Sequence, residues 1–175
     1  MAHASEKKIL VVDDEPDVRN FLAACLEDAG FNVNIAVDGL DALEKVEVFN
    51  PDLMTLDMVM PGLSGIKVIR KLREKEKWAN LPVIVITAHA HDEMGGDQIK
   101  EFTALTSGLR PRITMEKPIS PANLVKTICN ILEVDPEAAE EVGTELGSER
   151  GKIAKLIAET DSDTLRKIRE VLNQK

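Results

Sequence analysis

The chain has 175 residues, of which 43% are hydrophobic and 30% charged, so its composition predicts one soluble globular domain with an appendage. A formal net charge of −9 and an aromatic content of 3% disfavour binding to nucleic acid or to an anionic membrane. The apolar run from Ile9 to Val12 is too short for a secretion signal or a membrane span, and Cys25 and Cys129 lie in helical patterns typical of reduced, buried thiols. We therefore expect a cytoplasmic protein with protein partners.

Short apolar runs alternate with amphipathic segments over the first two-thirds of the chain, a pattern that predicts βαβ units around a parallel sheet. We predict five strands, over Lys8 to Val12, Asn32 to Ala36, Asp52 to Leu56, Pro82 to Thr87 and Ile113 to Glu116. The first and fourth runs are nearly continuous in Ile, Leu and Val, as expected of strands that helices cover on both faces.

Capping signals predict where the helices begin. They lie near Glu15-Pro16, after Asp38-Gly39, after Gly62-Leu63-Ser64-Gly65 and near Ser120-Pro121-Ala122. The inner face of the first helix is predicted to consist of Val18, Phe21, Leu22, Cys25 and Leu26. A further helix between Thr87 and Lys117 is hard to place, because that stretch is long, weakly patterned and interrupted by glycine and proline.

The composition changes after Leu132, which indicates a domain boundary. We predict a flexible N-terminus over residues 1–6, a domain over 7–133, an acidic linker over 134–148 and a helical hairpin over 149–175. From Asp135 onward ten acidic residues face seven basic ones, which disfavours DNA binding by this tail. The hairpin either packs back on the domain or serves as a dimerisation or partner-docking element.

Residues whose side chains could bind ligands or react follow four of the predicted strands. Because ligands gather at the carboxyl ends of strands in an open parallel sheet, these residues are expected to meet at one edge. They are Asp13-Asp14-Glu15, Asp57, Thr87-Ala88 and Lys117-Pro118. Crowded carboxylates repel one another unless a cation lies between them, and hard oxygen ligands suit Mg²⁺.

This edge could support phosphoryl transfer. Asp13, Asp14 and Asp57 would hold the metal ion, and one carboxylate could attack a phosphoryl group to give an aspartyl phosphate. Lys117 and Thr87 would contact the transferred oxygens. Taken singly, Asp14 could instead be a helix cap and Lys117 a surface charge, but a single site accounts for all five residues.

The sequence closely resembles the receiver domains of two-component response regulators from roughly Lys7 to Leu132. The resemblance rests on Val11-Val12-Asp13-Asp14-Glu15, Leu56-Asp57-Met58-Val59-Met60-Pro61-Gly62, Thr87-Ala88 and Lys117-Pro118. It implies an α/β, flavodoxin-like (βα)5 fold with strand order 2-1-3-4-5. It also implies that Asp57 is the phosphoacceptor and that Mg²⁺ is bound by Asp13, Asp14, Asp57 and the backbone carbonyl of Val59, while Thr87 and Lys117 sense and stabilise the phosphoryl group.

The resemblance further implies partners and a role. The donor would be a sensor histidine kinase or a phosphotransfer protein, and the output would pass to an unknown downstream protein or through a homodimer. The chain would be a phosphoacceptor with at most slow self-dephosphorylation, not an enzyme. Family members usually carry Tyr or Phe where this chain has Thr114, and the stretch from His89 to Arg112 is longer than usual, so we expect an atypical fourth-helix region.

Two other functions are compatible with parts of the sequence. A pseudo-receiver would act only as an interaction module, but such a protein would usually have lost some of the five site residues. A metal-dependent hydrolase is suggested by His89-Ala90-His91-Asp92-Glu93, although alternating histidines in a polar loop are more often solvated. His89, two residues past Thr87, is better interpreted as a neighbour of the phosphorylation site that influences water access.

Overall fold

The computed structural model describes residues 3–87 and 112–134, together with Lys100 and Ala104. The strands are β1 (Lys8–Val12), β2 (Asn32–Ala36), β3 (Leu53–Asp57), β4 (Val83–Thr87) and β5 (Arg112–Glu116). The α-helices of the described ranges are α1 (Pro16–Asp28), α2 (Gly39–Phe49), α3 (Gly65–Arg73) and α4 (Pro121–Leu132). The strand limits agree with the sequence prediction to within one residue.

The strands form one parallel sheet in the order β2-β1-β3-β4-β5. This order confirms the flavodoxin-like α/β fold that the sequence predicted. Val12, the last residue of β1, is in register with Ala36 of β2 on one side and with Leu56 of β3 on the other. The carboxyl ends of the three strands are therefore level, and the residues that follow them emerge at the same edge.

The sheet separates two hydrophobic clusters. Leu10 and Val12 of β1 belong to one cluster, whereas Ile9 and Val11 belong to the other, because successive side chains of a strand point to opposite faces. The first cluster lies under α2 and α3, and the second under α1 and α4. Strands buried on both faces give the residues at their ends a rigid support.

The helices begin where the capping signals predicted. Pro16 is the first residue of α1, and the side chain of Asp38 accepts a hydrogen bond from Asp41 N at 2.8 Å to cap α2. At the N-terminus, where we expected flexibility, Ala4–Glu6 forms one turn of 3-10 helix and the Ala4 side chain is buried.

Within the described part of the chain, no helix combines the length and apolar character needed to cross a bilayer.

Several predictions concern residues outside the described ranges. These are the atypical fourth-helix region between Thr87 and Arg112, apart from Lys100 and Ala104, and the C-terminal helical hairpin. The acidic linker also lies outside them, with the exception of Val134. Val134 is buried against the second cluster, so the packed part of the domain reaches at least to that residue.

Candidate functional site

Three carboxylates meet at the carboxyl edge of the sheet. Asp13 and Asp14 follow β1, and Asp57 is the last residue of the neighbouring strand β3. One carboxylate oxygen from each lies within 4.8 Å of the other two. Only 1% of Asp13 and 5% of Asp57 are exposed. The structure therefore brings together the three aspartates that the sequence predicted to share a cation.

The two oxygens of Asp57 have different partners. Oδ1 accepts a hydrogen bond from the main-chain nitrogen of Val59 at 3.0 Å. Oδ2 accepts one from Lys117 Nζ at 3.1 Å. The main chain thus fixes one oxygen, while the other depends on a side chain that has its own conformational freedom. The role of the Val59 carbonyl as a metal ligand stays a prediction.

Asp13 has a similar division between its oxygens. Oδ1 accepts a hydrogen bond from Glu15 N at 2.9 Å. Oδ2 lies 3.1 Å from Lys117 Nζ as an ion pair, but it is buried and has no hydrogen bond of good geometry. A buried carboxylate oxygen without a donor fits a cation ligand, and the all-oxygen set of three aspartates fits a hard divalent ion such as Mg²⁺.

Burial dominates the electrostatics of the two aspartates after β1. It raises the pKa of Asp13 to about 6; Lys117 opposes this rise and the nearby charge of Asp57 adds to it. The pKa of Asp14 is also raised, chiefly by burial and further by the charges of Asp57 and Glu15. The charged form of both carboxyl groups is therefore destabilised relative to the neutral form, and a bound cation would offset this effect.

Lys117 is the positive group of the site. It follows β5, and its Nζ lies 3.1 Å from Asp13 Oδ2, 3.0 Å from Glu15 Oε1 and 3.1 Å from Asp57 Oδ2. Burial alone would lower the pKa of Lys117, but the attraction of Asp13 and Asp57 outweighs it and raises the pKa above its usual range. Lys117 therefore stays a charged ammonium at neutral pH.

Thr87 is attached to Lys117 through the main chain. Thr87 is the buried last residue of β4, and its carbonyl accepts a hydrogen bond from Lys117 N at 3.0 Å. This bond extends the pairing of β4 with β5 one residue beyond the partners Thr87 and Glu116. Thr114 of β5, which stands where the receiver domains that the sequence resembles usually have an aromatic residue, pairs with Val85 of β4 and is exposed.

Arg19 is a residue of this site that the sequence analysis missed. It is buried in α1, where Nη1 donates to the main-chain oxygen of Asp13 at 2.8 Å and to that of Asp14 at 3.4 Å. Val18, predicted on the inner face of α1, is partly buried and packs against the second cluster, which confirms that prediction. The signal that could have identified Arg19 is its spacing three residues before the buried Leu22.

Gly65 allows α3 to start against the loop that follows Asp57. Its main-chain nitrogen donates to Met58 O at 3.1 Å. A Cβ atom at this position would collide with the Asp57 carbonyl oxygen and would lie 2.9 Å from Met58 Cα. The close approach therefore requires glycine and helps to fix the main chain beside Asp57.

The described residues thus place Asp13, Asp14, Asp57 and Lys117 together, with Thr87 joined to Lys117 by a main-chain hydrogen bond. Two further residues belong to the site. Glu15 contacts Lys117, and Arg19 donates a hydrogen bond to the Asp13 carbonyl. His89, which we predicted to influence water access, lies outside the described ranges, as do His91, Asp92 and Glu93.

Comparison with known proteins points to one family. The model of the response regulator receiver domain matches residues 9–129. A 14.6 kDa protein of Leptolyngbya boryana is 36% identical over 128 residues, which are 73% of this chain and 92% of that protein. Response regulator Rre1 of Synechocystis is 30% identical over 167 residues, which are 95% of this chain. The chain spans 64% of the length of Rre1.

Solved structures give the same result for the fold. The chemotaxis protein CheY4 of Vibrio cholerae superposes with a TM-score of 0.62 at 28% sequence identity. The match covers 74% of this chain and 99% of CheY4. The receiver domain of the Francisella response regulator 1452 superposes with a TM-score of 0.60, also at 28% identity, over 73% of this chain and 97% of that one.

Proposed function

The chain belongs to the response regulator receiver domain family of two-component systems, and from this premise we propose that Asp57 accepts a phosphoryl group in a Mg²⁺-dependent reaction. The observation that carries the proposal is the position of Asp57 Oδ2. It lies 3.1 Å from a charged ammonium, Lys117 Nζ, and shares its surroundings with the carboxylates of Asp13 and Asp14. A nucleophile, a cation-binding set and a group for phosphoryl oxygens are thereby adjacent.

The chemistry of the transfer requires a carboxylate nucleophile. An oxygen of Asp57 attacks the phosphorus, the bond between phosphorus and the donor atom breaks, and the leaving group departs with the bonding electrons. Because Val59 N already holds Oδ1, Oδ2 is the oxygen we assign to the attack. Lys117 must then pass from Oδ2 to an oxygen of the incoming phosphoryl group.

Asp13, Asp14 and Asp57, with the Val59 carbonyl, are the groups we assign to Mg²⁺. When bound, the ion supplies positive charge against the phosphoryl oxygens. Asp13 Oδ2 supports this assignment, because this buried oxygen has an ion pair with Lys117 but accepts no hydrogen bond, so it keeps lone pairs that a cation can use.

Lys117 and Thr87 are assigned to the phosphoryl oxygens after transfer. Lys117 brings a full positive charge, and Thr87 brings a hydroxyl at the neighbouring strand end. A main-chain hydrogen bond from Lys117 N to the Thr87 carbonyl keeps the two residues side by side at this edge of the sheet. Since Thr114 is not aromatic and is exposed, the response would have to propagate without an aromatic side chain in β5.

The proposed donor is a sensor histidine kinase or a phosphotransfer protein, as membership of the family supports. The proposed output is a protein–protein contact, either with a downstream protein or with a second copy of the chain. His89 is proposed to lie near the phosphorylation site and to influence water access to the phosphoryl group. In this scheme the chain accepts the phosphoryl group, and the only reaction it promotes itself is the slow hydrolysis of that group.

The test is treatment with acetyl phosphate and Mg²⁺ followed by intact mass spectrometry. We expect the wild type and the exposed-site control Asp28→Asn to gain one phosphoryl group, and Asp57→Asn to gain none. Removal of Mg²⁺ by a chelator should abolish the gain. Modification of Asp57→Asn at the wild-type rate would show that another residue is the acceptor. A wild type that stays unmodified would favour the interaction-module alternative.

A further inference from the structure

In the described part of the chain, β2 is an edge strand of the sheet. It stands first in the order β2-β1-β3-β4-β5, so it pairs with β1 on one side and with no described strand on the other. Such an edge presents a row of main-chain donors and acceptors with which a strand of another molecule can pair. Whether pairing is possible depends on what already occupies those groups.

The hydrogen bonds to β1 show which groups of β2 face outward. Asn32 N donates to the residue before β1 at 3.0 Å, and Ala36 O accepts from the residue after β1 at 3.3 Å. In a parallel pair the main-chain groups of alternate residues point to the same side. The main-chain groups of Val33, Ile35 and Val37 therefore point away from β1, to the outer edge.

Side chains of the same chain already occupy three of these outward groups. Asn34 Oδ1 accepts a hydrogen bond from Ile35 N at 2.9 Å. Lys45 Nζ, which belongs to α2, donates to Ile35 O at 2.7 Å. Asp41 Oδ2, also of α2, accepts from Val37 N at 3.0 Å. Lys45 and Asp41 form an ion pair of 2.8 Å with each other, so the two α2 side chains hold one another in position along the edge.

A strand that pairs with this edge has to displace these contacts. Each main-chain hydrogen bond that the new strand forms stabilises the pair by only about 0.5–1.5 kcal/mol. At Ile35 that gain is offset, because a bond to Asn34 or Lys45 is lost for every bond formed. The side chains of Lys45 and Asp41 are 33% and 23% exposed, so strand addition would also remove charged groups from solvent.

We propose that the side chains of Asn34, Asp41 and Lys45 close the β2 edge to strand addition by a second copy of the chain. A second copy is the partner at issue, because an edge strand can meet its own equivalent across a two-fold axis. The inference goes beyond the proposed function and does not depend on it, since none of the three residues belongs to the Asp57 site. A homodimer that serves as output would therefore form through another surface.

Self-association of a double variant, measured by analytical ultracentrifugation, tests this role. Asn34→Ala with Lys45→Met frees both main-chain groups of Ile35, so the variant should associate at about one tenth of the concentration that the wild type requires. The control combines Asn32→Ala with Lys71→Met, the same two substitutions at exposed positions. Since Asn32 N is bonded to β1, the control should associate like the wild type.

Hydrogen exchange of the Ile35 amide, followed by NMR, shows whether β2 is the surface that associates. In the wild type this amide should be protected in dilute solution, because Asn34 Oδ1 accepts from it. In the double variant it should exchange rapidly when dilute and become protected as the protein concentration rises, because a second copy then supplies the acceptor. If the double variant does not fold, the single variant Lys45→Met, which frees only Ile35 O, takes its place in the association measurement.

Three outcomes would overturn the proposal. The first is a folded variant that associates no more strongly than the wild type. The second is stronger association without concentration-dependent protection of the Ile35 amide in the double variant, since another surface would then be responsible. The third is a wild-type Ile35 amide that exchanges as fast as that of the dilute double variant, because Asn34 would then leave the edge open.

Discussion

Arg19 Nη1 donates a hydrogen bond of 2.8 Å to the main-chain oxygen of Asp13, from inside α1 to the loop at the end of β1. The guanidinium is buried, and its Nε has no hydrogen-bond acceptor among the described residues. A buried cation that is only partly satisfied is costly, so its presence here indicates that the loop depends on it. The loop it holds is the one that directs Asp13 and Asp14 toward Asp57.

The first prediction concerns this contact. Arg19→Met should lower the free energy of unfolding by about 2 kcal/mol, because a charged hydrogen bond to a buried carbonyl is lost. It should also weaken Mg²⁺ binding, since Asp13 and Asp14 are less well oriented. Arg19→Lys keeps the charge with fewer donors and should fall between the two proteins. Urea denaturation and Mg²⁺ titration measure the effects, and wild-type values for both in Arg19→Met would contradict the assigned role.

The second prediction concerns pH in the absence of metal. Because burial raises the pKa of Asp13 from 3.8 to about 6, the unfolded chain releases this proton at lower pH than the folded protein does. Ionisation of Asp13 should therefore lower the free energy of unfolding progressively as the pH rises from about 4 to about 6. Above that range the reduction should stay constant. Its full size is about 3 kcal/mol at most.

Asp13→Asn removes this cost and keeps an oxygen that can accept from Glu15 N. Urea denaturation in the presence of a chelator should find the variant more stable than the wild type at pH 7 and nearly equal to it at pH 4. The exposed-site variant Asp28→Asn is the matched control and should follow the wild type. Equal stability of Asp13→Asn and wild type at both pH values would contradict the prediction.

The third prediction concerns the close approach of α3 to the Asp57 loop. Gly65→Ala should destabilise the fold by about 2 kcal/mol and slow acceptance of the phosphoryl group, because the added methyl group forces the main chain of Asp57 to move. Gly62→Ala is the matched control. It has a positive φ of 77° but open space around its Cβ, so it should cost about 1 kcal/mol through backbone strain alone.

Thermal denaturation and the rate of modification by acetyl phosphate distinguish the two glycines. If Gly65→Ala reacted no more slowly than Gly62→Ala at matched stability, the close contact would have no bearing on Asp57.

The fourth prediction concerns Thr55 in the middle of β3. Thr55 is 1% exposed, and its hydroxyl has no hydrogen-bond partner among the described residues. Replacement by the equally branched Val should therefore raise the free energy of unfolding by about 1 kcal/mol. The neighbouring Ile84→Val, which removes a buried methylene group, should lower it by about 1 kcal/mol. A loss of stability in Thr55→Val would indicate that the hydroxyl has a partner after all.

The sheet could be predicted from sequence because local patterns determine it. Runs of β-branched and aliphatic residues such as Val83–Thr87 are limited by turn residues, and Pro16 and Asp38 mark helix starts by their own backbone chemistry. The inner face of α1 was predicted in part. Val18 packs against the second cluster as the periodicity predicted. The adjacent Arg19 is also buried because loop carbonyls bind its guanidinium, a tertiary effect that no hydrophobic pattern contains.

The aspartates of the candidate site could likewise be predicted from their places after β1 and β3, since register brings parallel strand ends together. The contact of Glu15 with Lys117 could not be predicted in this way. Glu15 and Lys117 are 102 residues apart in sequence, and a glutamate that precedes a helix is ordinarily a cap or a surface charge. Only the folded sheet, with β5 beside β4, places the ammonium against it.

That separation of 102 residues also bears on when the site forms during synthesis. A ribosome that has produced β1 to β4 has already made Asp13, Asp14 and Asp57, but not the ammonium that offsets part of their charge. Until Lys117 is released, any pairing of β1 with β3 would bring the three carboxylates together without that ammonium, so a divalent ion would stabilise the growing chain more than it stabilises the finished one. We therefore expect the nascent domain to be more sensitive to magnesium depletion than the finished one.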